Sequence, residues 1–219
     1  MSYLYLILII YFIPLIAYFI TFITYKKYDN IDNKKSISGF EVARNILDKN
    51  NLEKIYIVEK RGLFTDKYDE KQNVIRLSTP AFHNETIYSL AISSYIATKA
   101  QLYNKNNKMV KTKVIFDGFI DLLTSLLYIL LLIGIIINSI SIYKTVLYLF
   151  IFILLYKIIT IYIEEKIIEQ SIKELIKNKY ISNNNKEIKK LYDYLKINNI
   201  SQMVLSLSDL YYNFKDNIK

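Results

Sequence analysis

Three long apolar runs punctuate the chain, and the stretches between and after them carry the alternating or amphipathic patterns of soluble elements. Leu4 to Thr24 contains no charged residue, a second run extends from about Phe119 to Ile142, and a third from Thr145 to Ile163 has Lys157 as its only charge. A hydrocarbon core of about 30 Å takes roughly 20 helical residues, so each run predicts a transmembrane helix. After the first, Ser38 as N-cap, Glu41 as its capping-box partner and Val42, Ala43, Ile46 and Leu47 at helical spacing predict a helix that ends at Asn50-Asn51. Ile55 to Val58 predicts a short strand, Arg61-Gly62 a turn, and Asn73 to Leu77 a second strand. With the charged run Asp66 to Lys71 between them, the expectation is a small hairpin or a two-to-three-stranded sheet. Helical spacing then returns, and Ile87, Leu90, Ala91, Ser94, Ala97 and Thr98 predict one continuous helix from Asn84 to Leu102. The tail is amphipathic. One helix continues the third span, a break falls at Ser182 to Asn185, a second helix holds Ile188, Leu191 and Leu195, and a third surrounds Met203 to Leu210.

The expected organisation is therefore an α+β membrane protein: an anchor over residues 1–25, a soluble domain over 26–113, a transmembrane hairpin over 114–163 and a helical tail over 164–219. With 219 residues, 53% of them hydrophobic, the soluble part is too small to bury a large core by itself. The formal charge of +9 is concentrated beside the spans, at Lys26, Lys27, Lys34 and Lys35, and at Lys105, Lys108, Lys111 and Lys113, whereas the connector between spans two and three carries only Lys144. Basic flanks stay cytoplasmic, which predicts an outside N-terminus with both soluble parts in the cytoplasm. Membrane lipid is thus the expected partner of these lysines. Nucleic acid is not, because no aromatic-basic binding motif accompanies them. A cleaved signal peptide is the competing reading of the first run, against which stand the missing basic n-region and the lack of a small-residue cleavage site before Tyr25.

Ser38 to Leu47, reading S-G-F-E-V-A-R-N-I-L, then Asn51-Leu52, Phe64-Thr65-Asp66-Lys67-Tyr68-Asp69-Glu70 and Ile75-Arg76-Leu77-Ser78, resemble in order and spacing the bacterial membrane neutral zinc metallopeptidases of the YugP type. The family's text runs approximately S-G-x-E-x-A-R-x-I-L, N-G-L, L-T-D-H-Y-D-P and V-R-L-S, followed by an H-E-V-G-H-A helix. Thr160 to Glu164 resembles the family's T-L-P-V-E-F-D-A-S exit from the membrane hairpin, with Lys166 replacing the Asp, and Ile188 to Tyr212 echoes its closing helix. The resemblance implies a zincin-like cytoplasmic helix-strand-helix domain, zinc as the family's cofactor, and a multi-pass place in the bacterial inner membrane.

Counted from Leu77-Ser78, H-E-x-x-H would fall on Tyr95-Ile96-Ala97-Thr98-Lys99, with Ala100 matching the following alanine. A hydrolytic zinc site needs imidazole or carboxylate ligands converging on the metal and a Glu to deprotonate its water. A phenol, an aliphatic chain and an ammonium stand there instead, the family's other His is Lys67, and the chain has a single histidine and no cysteine. The expectation is consequently no catalytic residue, no resident cofactor, and Glu164 as a remnant metal ligand. Charge balance suggests that Lys99 pairs with Glu164, or with Glu165, in place of the metal, and the competing reading is a solvated lysine on an exposed face. The leading reading is a catalytically inactive homologue with a binding or regulatory role toward a membrane-protein partner or an active paralogue. One alternative is an active peptidase with a rearranged site of Asp66, Asp69, Glu164 and His83, and another is an unrelated structural membrane protein. His83 reads as a surface residue near a helix start, Asn84-Glu85-Thr86 as a chance glycosylation tripeptide, and Asp117 with Asp121 as headgroup-layer acids with Lys113 as partner. Ser93 and Ser94 lack the base that would make them nucleophiles, Lys99 being poorly placed for that.

Overall fold

The computed structural model describes residues 2–182, 186–196, 200, 201 and 203. Its elements are α1 (Ser2–Asp29), α2 (Gly39–Asp48), β1 (Tyr56–Lys60), β2 (Lys67–Asp69), β3 (Val74–Ser78), α3 (Thr79–His83), α4 (Ile87–Asn104), α5 (Lys108–Ile137) and α6 (Ile140–Lys177), with a further helical stretch over 186–196. The contacts divide the chain into two compact units: Met1–Phe22, Phe116–Ile161 and Leu195–Lys219 form one, and Ile23–Ile115 with Tyr162–Tyr194 the other. The third expected tail helix, around Met203 to Leu210, lies largely outside the described residues.

In the first unit, Ile10, Ile120, Leu127, Tyr128, Leu131, Val146, Phe150, Ile153 and Met203 form one buried cluster. The opposite helix faces are also apolar, as exposed Leu122, Leu132, Ile136, Phe152 and Ile159 show. Apolar residues all round a helix suit either a large core or lipid. Among the described residues two helices, α5 and α6, are long and apolar enough to cross a membrane, against the three spans expected. The remaining expected span, Leu4 to Thr24, lies within α1, several of whose first side chains are outside the described set. The charged residues here also depart from expectation. Lys157, a lysine inside the third apolar run, is buried with Nζ 3.9 Å from Asp121 Oδ1, and Tyr156 donates a 3.1 Å hydrogen bond to Asp117 Oδ1.

In the second unit α2 begins as its sequence dictates. Ser38 Oγ accepts from Glu41 N, and the Glu41 carboxylate accepts from Ser38 N, so the two side chains satisfy donors that a helix start leaves free. Val42, Ala43, Ile46 and Leu47 are fully buried. Gly39 is set by close approach, since a Cβ there would lie 1.9 Å from the Ala81 carbonyl oxygen and 2.3 Å from Ser93 Oγ. That gap lets Ser93 donate to Ala81 O at 3.1 Å, which joins α2, α3 and α4 at one point.

The sheet is three-stranded with order β1-β3-β2. β2 and β3 form the antiparallel hairpin, Tyr68 opposite Ile75, whereas β1 lies parallel to β3 with Ile57 opposite Ile75. The alternation in β3 places Ile75 and Leu77 in the core. The helix expected from Asn84 to Leu102 is present as the continuous α4, shifted to start at Ile87 and end at Asn104, and a short separate helix, α3, precedes it. α3 stops at His83, Asn84 is extended, and α4 starts at Ile87 because Thr86 caps it, accepting from Ser89 N at 3.2 Å while Ser89 Oγ receives Thr86 N at 3.0 Å. A Thr-x-x-Ser box ends the extended stretch just as Ser-x-x-Glu does at α2, and backbone bonds from Asn33 N to Glu85 O and from Ile87 N to Ile31 O hold it open.

Asp66 closes the loop before β2 onto the end of β3, accepting from Ser78 N at 2.7 Å and from Ser78 Oγ at 3.1 Å. Burial pushes its carboxyl up from 3.8 to about 6, against the lowering effect of the Ser78 bonds. The folded state therefore holds this proton more tightly than the unfolded chain does, so the associated stability is complete below about pH 4 and lost as pH rises through about 6. Asp66→Asn should flatten that part of the pH–stability curve, and the wild-type minus variant difference should change by about 2 kcal/mol between pH 4 and 7 in denaturation measurements.

Candidate functional site

α4 is buried on nearly every side, packing against α2, α3, β2 and β3, and this explains why its sequence shows little amphipathic contrast. Tyr95 and Lys99 stand one turn apart on it, both partly exposed, while Ile96 is buried. Tyr95 reaches α6, where its hydroxyl donates to Glu164 Oε2. The expected approach of Glu164 to the motif helix is thus present. The other carboxylate oxygen, Oε1, lies 2.7 Å from Lys113 Nζ, and both of those side chains are almost completely buried.

Lys113 is the residue that the sequence reading placed elsewhere, beside Asp117 and Asp121. It begins the apolar part of α5, and only the tertiary packing turns its long stem inward to Glu164. Lys99 acts on the same carboxylate through its charge, as charge balance leads one to expect, but the 2.7 Å ion pair belongs to Lys113. Burial by itself raises the Glu164 carboxyl. The Lys113 and Lys99 charges, with the hydrogen bonds from Lys113 and Tyr95, outweigh that and hold it below its ordinary value.

At Ser94, the residue just before Tyr95 on α4, the hydroxyls of Ser94, Ser171 and Tyr192 lie within 2.6–3.0 Å of one another. Tyr192 comes from the helical stretch at 186–196 and also donates to Ala91 O at 3.2 Å, so it fastens the tail to α4 and α6. Burial pushes its phenol up to about 12, which keeps it a hydrogen-bond donor. Ile188 and Leu191 are buried beside it in sequence, as the amphipathic pattern predicts, but the tyrosine was one of many in the chain and nothing in its spacing marked it. Ser93 and Ser94 are occupied by Ala81 O and this hydroxyl cluster, and among the described residues no hydrogen bond joins either to a base.

The alternative set does not assemble. Asp66 is held by Ser78, Asp69 Oδ2 takes Arg76 Nη2 at 3.2 Å, and His83 is exposed with Nε2 3.3 Å from Glu59 Oε2. Among the described residues no group of three or more His, Cys, Asp or Glu side chains is placed to hold a metal ion. Zinc does not fit the residues at the motif positions either: Tyr95, Ile96 and Lys99 supply no imidazole and no base, and both oxygens of Glu164 are already taken.

A family model described as "Putative neutral zinc metallopeptidase" matches residues 3–214. The chain belongs to that family. The match runs over nearly the whole chain, which removes the reading of an unrelated structural protein. The chain is also similar to "Putative membrane protease YugP" of Bacillus subtilis (strain 168), 33% identical over 79 residues, or 36% of this chain and 35% of that one. The aligned part thus spans about a third of the curated relative. No solved structure matches the chain.

Because Lys113 neutralises a buried acid, Lys113→Met should destabilise the protein by on the order of 3 kcal/mol in thermal or denaturant unfolding of the detergent-purified chain. Lys99→Met, at a partly exposed position, should cost no more than about 1 kcal/mol. Adding Glu164→Gln to Lys113→Met should restore most of the loss, and an additive double variant would show that the two groups do not depend on each other.

Proposed function

We propose that this chain is a membrane-anchored pseudopeptidase, a member of the zinc metallopeptidase family that keeps the scaffold and uses it for binding rather than hydrolysis. The observation that carries this reading is the state of Glu164, whose two oxygens are claimed by Lys113 and Tyr95 with the Lys99 charge beside them. In the alignment by spacing, Ile96 stands where the family's general base would be, and a buried aliphatic side chain cannot take a proton from water. Two ammonium groups around one carboxylate repel a divalent cation, so this site works without resident zinc. The hydroxyl cluster of Ser94, Ser171 and Tyr192 then serves cohesion, joining α4, α6 and the tail into one rigid face.

The chain spans the membrane three times, through α1 and the α5–α6 hairpin, with its N-terminus outside and both soluble parts in the cytoplasm of a bacterial cell. Support comes from the long apolar helices, their apolar outward faces and the lysines that flank the first and second apolar runs. The role is non-catalytic: the cytoplasmic part holds a membrane-protein partner or modulates an active paralogue.

Elemental analysis of protein purified in detergent without chelator should find zinc well below one equivalent, and the same preparation should not cleave casein when zinc is added. Stoichiometric, tightly held zinc would overturn the reading. Reporter fusions after Lys35, after Tyr143 and at Lys219 should report inside, outside and inside, and an outside signal at Lys35 would place the soluble part across the membrane.

A further inference from the structure

We propose that the interior of the second unit binds one monovalent cation, sodium or potassium, between α4 and α6 on Thr98, Gln101 and Glu174. Thr98 Oγ1, Gln101 Oε1 and Glu174 Oε2 are buried atoms without a hydrogen-bond partner, on side chains at most 4% exposed. Buried polar atoms are nearly always satisfied, and three orphans in one layer point to a common ligand.

They do share a layer. Gln101 Nε2 donates to Glu174 Oε1 at 3.1 Å, and at the other end of the same helix pair Ser171 donates to Ser94 at 3.0 Å. Thr98 stands between those two contacts on the same face of α4, four residues after Ser94 and three before Gln101. The orientation of the Gln101 amide is set by its neighbours. Its Nε2 also donates to Asn50 Oδ1 at 2.6 Å, and Lys105 Nζ at 2.9 Å identifies that Asn50 atom as an acceptor. Turning the amide over would set its oxygen against two acceptors, so Oε1 is an acceptor that lacks a donor. The carboxylate is equally lopsided: Oε1 accepts from both Gln101 and Gln170, the latter at 3.3 Å, and Oε2 from neither.

Charge selects the ligand. Glu174 forms no ion pair with a described residue, and the one lysine that enters the network, Lys105, ends on Asn50 instead of on the carboxylate. A buried carboxylate calls for a countercharge, which a water molecule would not bring. A hydroxyl, an amide carbonyl and a single carboxylate are hard oxygen donors with one negative charge in total, which balances a monovalent ion. Calcium and magnesium sites use more oxygens and usually more carboxylates, and softer metals prefer nitrogen or sulfur ligands. These residues are separate from Tyr95, Lys99, Lys113 and Glu164, so this inference does not rest on the reading of the peptidase motif.

The test is the melting temperature of the whole detergent-purified protein in sodium, potassium or choline chloride at equal ionic strength. At saturation, sodium or potassium should raise it by about 5 °C over choline, with a hyperbolic concentration dependence. Glu174→Gln and Thr98→Val should lose the difference between salts. Identical curves for wild-type protein in all three salts would overturn the proposal whatever the variants do, leaving the three oxygens to a water or a proton. A salt-specific rise that survives in Glu174→Gln would overturn it as well, by placing the ion elsewhere.

Discussion

A carboxylate buried on α6 has to be neutralised, and the second unit is arranged around how that is done. Glu164 brings Lys113 from the start of α5 and Tyr95 from the middle of α4 to the same two oxygens. Neither charge could be buried alone, because the desolvation cost of an isolated ion exceeds what nearby packing returns. The pair therefore couples three helices that are far apart in sequence. Lys99 adds a further positive field from α4, and the outcome is a carboxyl that stays ionised in spite of its burial.

The helix that carries Tyr95 and Lys99 is unusual in having almost no solvent face. Small side chains make this possible. Gly39 lets α2 approach α4 and α3 closely, Ser93 fills the gap with a hydrogen bond, and Ala91, Ala97 and Ala100 are fully buried. Hydroxyls and amides that would be costly in such a place are paired across to α6 and the tail, first at Ser94, Ser171 and Tyr192 and then at Gln101 and Glu174. Polar contacts of this kind specify one register between helices, because a slip would strand every member at once.

Within the family, this combination separates scaffold from chemistry. The Ser38-Gly39 start of α2, the Asp66 to Ser78 clasp and the sheet register are structural devices that function without a metal. The positions aligned with metal ligands and base hold residues that pack, donate hydrogen bonds or carry positive charge. At the motif positions the site is built as a clamp on Glu164, with Lys113 and Tyr95 on its two oxygens.

Much of this was legible along the chain because it depends on local rules. The capping box at Ser38 and Glu41, the alternation in β3, the apolar runs behind α5 and α6 and the order of family motifs each arise from spacing, and each has its counterpart in the fold or the family match. Local rules missed only a start where a competing local signal was overlooked, at Thr86 and Ser89, whose reciprocal cap begins the expected helix at Ile87 rather than at Asn84. What no spacing could reveal was pairing across distance. That Lys113 would turn inward to Glu164 rather than outward to Asp117, that β1 would join β3 in parallel, and that Tyr192 among many tyrosines would lock the tail are decided by which surfaces meet. A side chain's type sets what it can do, but the charge or hydroxyl it faces is chosen only when the helices pack and water is excluded between them.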